Sequence, residues 1–261
     1  IRHHAALAAT ALALALAHNA AAQAASQFES GPEPVALLEL YTSEGCSSCP
    51  PADRWLSSLR DRQDLWERYV PVAFHVDYWN YLGWPDRFAR PAFSARQRQY
   101  RAQGHTRGVY TPGLMLGGQE WRSWRRGGLP GPVSMDKVGS LTLDLAGQRF
   151  RAGFEPGADA RLQEPAFTIA VLGMGIGSDV RAGENRGRAL RHDFVVLAQR
   201  SYTASSASSL SWTGKLPQAP LAQEAARLAV AAWVSDGTDL RPVQAVGGWL
   251  AADTLAVAAT Q

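Results

Sequence analysis

The sequence predicts an α/β domain followed by a mostly β, sandwich-like C-terminal domain, and three observations carry that expectation. Val35 to Tyr41 is a mostly apolar run of the length of a buried strand, and it leads through a polar turn into a helical pattern. Val70 to Val76 is a second such run, one helix further on. Beyond about Lys137 the pattern changes to short alternating runs separated by turns, the signature of an antiparallel sandwich. The division expected is 35–136 for the first domain and 137–261 for the second.

Residues 1–25 read as an export signal: Arg2, His3 and His4 form a polar start, Ala5 to Ala17 is an Ala/Leu run, and Ala20-Ala21-Ala22 or Ala22-Gln23-Ala24 offers a cleavage site. The run has no polar face, which argues against a surface helix. The expected location is therefore periplasmic or secreted, where disulfides persist. Residues 26–34, with Gly31, Pro32 and Pro34, read as a linker. The body of the chain has no stretch apolar and long enough to span a membrane. A net charge of +3 and a pI near 9.1 are too mild to argue for a nucleic-acid partner.

The 35–60 stretch carries the chemistry. After the first apolar run, Thr42 to Gly45 turns into Cys46-Ser47-Ser48-Cys49, and Ala52, Trp55, Leu56 and Leu59 then recur at the spacing of an amphipathic helix face. Pro50 and Pro51 fit only near a helix start, where no N–H is needed. Two cysteines three apart in a first helical turn lie within disulfide reach. The free N–H groups there favour a thiolate, so Cys46 is expected to attack and Cys49 to resolve. Glu44 reads as a solvated turn residue, with an auxiliary role as the other possibility.

Strand, CxxC and helix together resemble the active-site unit of the thioredoxin superfamily. ELYTSEGCSSCPPAD, FHVDYWNYLGW at 74–84, RQRQY at 96–100 and GVYTPGLMLGG at 108–118 resemble a narrower group, the bacterial secreted proteins of the domain of unknown function 1223 family. The resemblance implies a thioredoxin-like first domain and supplies no activity. It departs from ordinary thioredoxins at Gly45, where a Trp is usual, at Ser47-Ser48 in place of Gly-Pro, and at Pro50-Pro51.

In the second strand His75 shares a face with Ala73 and Asp77, at the carboxyl end where open α/β sheets keep their functional crevice. His75 is expected either to serve the thiol as a proton relay or to be satisfied by Asp77 or backbone. Residues 78–107 mix aromatics with arginines and are broken by Pro85 and Pro91, which predicts a short helical insertion covering the sheet, with core aromatics and a solvated arginine face rather than a surface that stacks single-stranded nucleic acid. WRSWRRGG at 121–128 reads as an exposed loop. Thr111-Pro112 matches, by the resemblance, the cis-proline position beside the CxxC, whose use is to present the backbone of Thr111 to an extended substrate peptide. Gly113 stands where relatives often carry Gln.

In the C-terminal part, Leu141, Leu143 and Leu145 turn through Ala146-Gly147-Gln148 into Phe150, Ala152 and Phe154; Phe167 to Ile176 is a long apolar strand; Leu228 to Val234 and Leu240 to Val246 form a hairpin, with Pro242 implying an edge. Gly173, Gly175 and Gly177 do not fit a dinucleotide fingerprint. GENRGRALRHDF at 183–194 reads as a loop anchored to the sheet, with His192-Asp193 as a possible site, and Ser201 to Ser211 as a Ser/Ala-rich loop.

Three functions follow. The first is a thiol–disulfide oxidoreductase acting on protein thiols and disulfides through Cys46 and Cys49, without cofactor. The second is a binding or scaffold protein with an inert disulfide, weakened because so short a loop removes little unfolded-chain entropy. The third is a Cu(I) handler using Cys46, Cys49 and His75. Structural zinc is disfavoured, since there is no second CxxC and no paired His.

Overall fold

The computed structural model describes residues 26–126, 128–129, 136–160, 162–204, 210–251 and 254. The expected export signal at 1–25 lies outside them, as does much of the Ser/Ala-rich loop.

Strand β1 (Ser26–Glu29) lies in the segment expected to be a linker. β2 (Ala36–Thr42) is buried along its whole length. It is followed by helix α1 (Pro50–Ser57), which starts at two prolines as the sequence predicts. β3 (Tyr69–His75) is also wholly buried, and α2 (Pro91–Ala102) again opens on a proline. β4 (Gly113–Leu116) and β5 (Gln119–Glu120) end the first half. β6 (Gly139–Ala146) and β7 (Arg149–Pro156) form a hairpin whose alternate residues are buried. Then come β8 (Pro165–Met174), β9 (Ile176–Asp179), β10 (Ala189–His192), β11 (Val195–Thr203), β12 (Ser211–Lys215), β13 (Arg227–Asp236) and β14 (Pro242–Trp249).

These strands form an eight-stranded sheet in the order β14-β13-β8-β11-β3-β2-β4-β5, a four-stranded sheet β1-β6-β7-β12, and the ribbon β9–β10. In the large sheet only β2–β3 and β3–β11 are parallel. This overturns the expected fold class, a thioredoxin-like α/β domain followed by a sandwich-like one. The molecule is mostly β, with two α-helices among the described residues. The physical reason is long-range pairing: β11 aligns Val195 with Ala73 and passes the sheet on through β8, β13 and β14, so strands from both halves share one hydrogen-bonded surface. A single β-α-β crossover is locally present, but most connections are antiparallel and need no helix.

β8 and β13 read as continuous apolar runs because both of their faces are buried. Ala170, Leu172, Ala231 and Trp233 join the core built by β2, β3 and the helices, while Ile169, Val171, Val230 and Ala232 pack against Leu141, Leu143 and Phe150 of the four-stranded sheet. Thr42 bonds Asp53 of α1, and the neighbouring face of β2 presents Glu39 to Arg96 of α2, so the two helices lie on opposite sides of β2. The Glu39–Arg96 contact is a buried fork: Nε donates to Oε2 at 2.8 Å and Nη2 to Oε1 at 3.0 Å. Tyr41 and Tyr100 hydroxyls donate to the same carboxylate, and the guanidinium lies over the Trp233 ring at 5.5 Å. A solvated arginine face was expected on α2, yet Arg96 is internal because Glu39 supplies its counter-charge.

Gln244 ties the N-terminal segment to both sheets. Its Oε1 accepts from Val35 N–H at 2.8 Å, and its Nε2 donates to the carbonyls of Gly31, Glu33 and Gly139. Its loss would leave two buried backbone groups, the Val35 N–H and the Gly139 carbonyl, unpaired at about 1–3 kcal/mol each. Gln244→Ala should therefore lower the unfolding free energy by about 3–5 kcal/mol in urea titration with an unchanged slope. A loss below about 1 kcal/mol would mean that the segment 31–35 is held by other contacts.

Candidate functional site

Cys46 and Cys49 are joined as a disulfide with Cα atoms 5.5 Å apart. Cys49 occupies the N-cap of α1 and its carbonyl accepts from Ala52 and Asp53, so Cys46 sits one turn ahead of the helix rather than within it. Both cysteines are buried, at 1% and 0% exposure, while Ser47 and Ser48 between them face solvent. The Cys46 sulfur lies 3.3 Å from the Ser48 hydroxyl. Gly45 is closely covered: a Cβ there would stand 3.1 Å from Cβ of Trp79, so the indole would have to give by a few tenths of an ångström. Trp79 in turn donates its indole N–H to Thr111 Oγ1 at 2.7 Å, and the Thr111–Pro112 bond is cis. The CxxC turn and the 111–112 turn are thus joined through one indole.

The other clamp comes from the far half of the chain. Asn185, fully buried, donates from Nδ2 to the carbonyls of both Glu44 and Cys46 at 2.8 Å, and Glu184 Oε2 accepts from the Ser47 N–H at 2.9 Å. Gly183 and Gly187, at φ +73° and +82°, allow the tight loop that presents these two side chains. GENRGRALRHDF is therefore an anchor, and what it anchors is the CxxC turn.

Beneath the turn lies a group of charged side chains with almost no exposure. Glu44, read from the sequence as solvated, is buried at 1% exposure. Its Oε2 accepts from the Trp84 indole at 2.7 Å, and its Oε1 lies 3.2 Å from His192 Nε2, within ion-pair distance though not aligned as a hydrogen bond. His75 does not bond Asp77. Its Nδ1 meets Asp86 Oδ2 at 2.7 Å, and Asp86 also accepts from the Glu44 and Phe88 N–H groups. Asp77 turns away to Ser94. The His75 and His192 rings stand edge to face, 4.9 Å apart. Asp53 accepts from Thr42 at 2.7 Å, and Asp193 accepts from Gly175 N–H. The reversal at His192 runs through Phe194, which sits at φ 58° and whose carbonyl accepts from the Ala73 N–H of β3.

These environments shift the titrations. Burial raises the Asp53 carboxyl, only partly offset by His192 and His75. Burial works against charge on His75, but Asp86, with Asp53 and Glu44, more than compensates and its pKa rises. Burial likewise opposes ionisation of Asp86 and Glu44, yet His75 holds Asp86 low and His192 holds Glu44 low. Asp53, His75, Asp86 and Glu44 thus form one mutually dependent set beside the disulfide, with the His192 ring packed against His75.

Among the sequence-derived candidates, Cys46, Cys49, Glu44 and His75 come together. Thr111 and Pro112 adjoin through Trp79, and Asp77 stands outside. Among the described residues no group of three or more His, Cys, Asp or Glu side chains is arranged to hold a metal ion, and the two sulfurs named for the Cu(I) alternative are joined in the disulfide. Asp53, Asp86, Glu184 and Asn185 were missed. Asp53, four residues after Cys49 on the apolar face of α1, was the one such signal in the pattern.

One protein family's sequence profile, described as "Protein of unknown function (DUF1223)", matches residues 37–235. The chain matches none of the curated proteins. Among solved structures it is similar to protein AGR_C_4864 from Agrobacterium tumefaciens, with TM-score 0.56 and 24% identity, covering 88% of this chain and 97% of that one. It is also similar to HBP35 of Porphyromonas gingivalis, with TM-score 0.50 and 14% identity, covering 89% and 79%. At these identities the likeness concerns the fold.

The pKa directions fix how stability should depend on pH. Asp86 and Glu44, lowered in the folded state, contribute stability that is complete above their unfolded values and lost as pH falls through their folded ones. His75, raised, contributes stability that is complete below its unfolded value and lost as pH rises through its folded one, while raised Asp53 also costs stability above its ordinary range. Asp86→Asn should cost about 3–5 kcal/mol at neutral pH and flatten both limbs, because it leaves His75 without its counter-charge. Urea unfolding across a pH series measures it; an unchanged profile would show that the pair does not govern the titration.

Proposed function

Since this chain belongs to the DUF1223 family, proteins of unknown function, we propose its activity from its own site: a thiol–disulfide oxidoreductase whose redox pair is Cys46 and Cys49. The observation that carries the reading is the pairing of a disulfide, over a loop too short to add much stability, with a buried cluster of interacting titratable groups. Such clusters are costly, and they concentrate where protons must be managed.

In the reduced form a Cys46 thiolate attacks a partner's disulfide. A mixed disulfide forms and the partner's other sulfur leaves as a thiolate. Cys49 then attacks the Cys46 sulfur, releasing the second partner thiolate, so that the partner gains two electrons and the pair loses them. Cys46 is the better attacker because the Ser48 hydroxyl, 3.3 Å from its sulfur, can donate to its thiolate. The surface around the pair must open to admit a partner, since neither cysteine is exposed. The partners on this reading are proteins carrying thiols or disulfides, and the location an exported one, for which the Ala-rich run at 5–17 speaks.

A second reading is favoured by one observation. Both cysteines are almost fully covered, as in a scaffold protein with an inert disulfide. The two readings part in one experiment, in which Cys49→Ser and Cys46→Ser are expressed in the native host and run on non-reducing gels. Trapped, reducible higher-mass species from Cys49→Ser alone support the oxidoreductase. No trapping by either, together with a wild-type pair that resists dithiothreitol in the folded state, would establish the inert disulfide instead.

A further inference from the structure

We propose that the cleft walled by Tyr110, Pro112, Trp121, Arg122, Trp124 and Arg125 is the docking site for an acidic segment of the protein substrate. The proposal rests on the oxidoreductase reading and names the partner chemistry of that same site.

Position is the first argument. Trp55, six residues beyond Cys49 on the same helix, packs on Trp121 at 5.3 Å and on Trp124 at 6.2 Å between ring centroids. At 1.5 Å per residue Trp55, on which those walls pack, lies about 9 Å along the helix from the resolving cysteine. Pro112 joins the cleft to Thr111, and Thr111 is bonded to the Trp79 that abuts Gly45. A segment lying in the cleft therefore runs alongside the redox pair.

Charge is the second. Arg122 and Arg125 are exposed, and among the described residues neither has an ion-pair partner. Arg125 lies over the Trp124 ring at 5.1 Å, which holds its guanidinium at the cleft wall. The nearest carboxylate in the chain, Glu120, accepts from the Tyr110 hydroxyl at 2.5 Å and from the Arg107 N–H, and so is already engaged. Two forked donors beside aromatic faces match carboxylates carried next to apolar side chains. Size is the third argument. At about 150 Å³ the cleft is below the 300–1,000 Å³ of small-molecule sites, and it admits a side chain or two of a longer segment. Elsewhere on the described surface the large exposed apolar residues are Tyr81 and Val109, which stand on the two loops that Trp79 and Thr111 join.

The test uses a cysteine-free peptide of alternating Glu and Leu, and the same peptide with Gln for Glu, titrated by calorimetry and tryptophan fluorescence. The proteins are the wild type, Cys46→Ser/Cys49→Ser and Arg122→Glu/Arg125→Glu. The acidic peptide should bind the wild type and the cysteine-free variant alike. Replacing Glu by Gln, or reversing both arginines, should weaken binding by roughly tenfold or more, and added salt should do the same. Equal binding of both peptides, or no effect of the reversal, would overturn the proposal. So would displacement of the peptide by a single-stranded oligonucleotide at lower concentration. Because the probe lacks cysteine, failure of the redox reading appears only in the gels and failure of the docking site only in the titration.

Discussion

The geometry of the site depends on one side-chain amide. Asn185 donates to two turn carbonyls, those of Glu44 and Cys46, from a position with no exposure. Without it the Glu44 carbonyl would lose its side-chain partner and the Cys46 carbonyl would keep only the Cys49 N–H, so the turn would be held inward far less firmly. With it, Glu44 is aimed at His192 and Trp84, and its own N–H at Asp86. Asn185 comes from the loop that precedes the β9–β10 ribbon's second strand, and the chain just beyond that strand pairs with β3 at Val195 and Ala73. A contact of long sequence separation thus sets the local shape of a four-residue motif.

The molecule contains two buried charge systems that differ in kind. Glu39 and Arg96 are matched in a fork, with both tyrosine hydroxyls completing the carboxylate, and every lone pair that can be used is used. That arrangement fixes α2 against the sheet and has no spare capacity. Around the disulfide the charges are shared among several partners: Glu44 lies between His192 and the Trp84 indole, and Asp86 between His75 and the Glu44 and Phe88 N–H groups. The first system is a closed ion pair, and the second spreads its charge over both halves of the chain.

The sequence made legible what is encoded locally. The apolar runs of β2 and β3, the spacing of Ala52, Trp55 and Leu56 on α1, and the hairpins β6–β7 and β13–β14 all follow from periodicity and turn residues over a dozen positions. The fold class was not legible, because nothing in the pattern of Val195 and its neighbours names β3 as a partner. Strand–CxxC–helix–strand is compatible with several sheets, and the neighbours that decide between them are far away in the chain. The site divided the same way. Cys46 and Cys49 were visible as a spacing. Glu44 was misjudged because a glutamate in a polar turn looks solvated until a distant loop covers it. His75 was matched to Asp77 by strand periodicity, but the strand ends at His75, and the buried carboxylate that reaches it comes from the turn at Asp86.

The pairing of β11 with β3 also has a temporal consequence. A chain made from its N-terminus exposes Cys46 and Cys49 long before Asn185 exists, and the flank of β3 stays open until β11 has been synthesised. Contacts of such sequence separation close late in folding. During that interval both thiols are freely reachable, and afterwards the same sulfurs are buried in a turn whose backbone the 183–187 loop holds. The oxidant present while the chain is being completed therefore has a kinetic advantage over any met later, and the state in which a molecule starts its working life reflects when it closed as well as the potential of its pair.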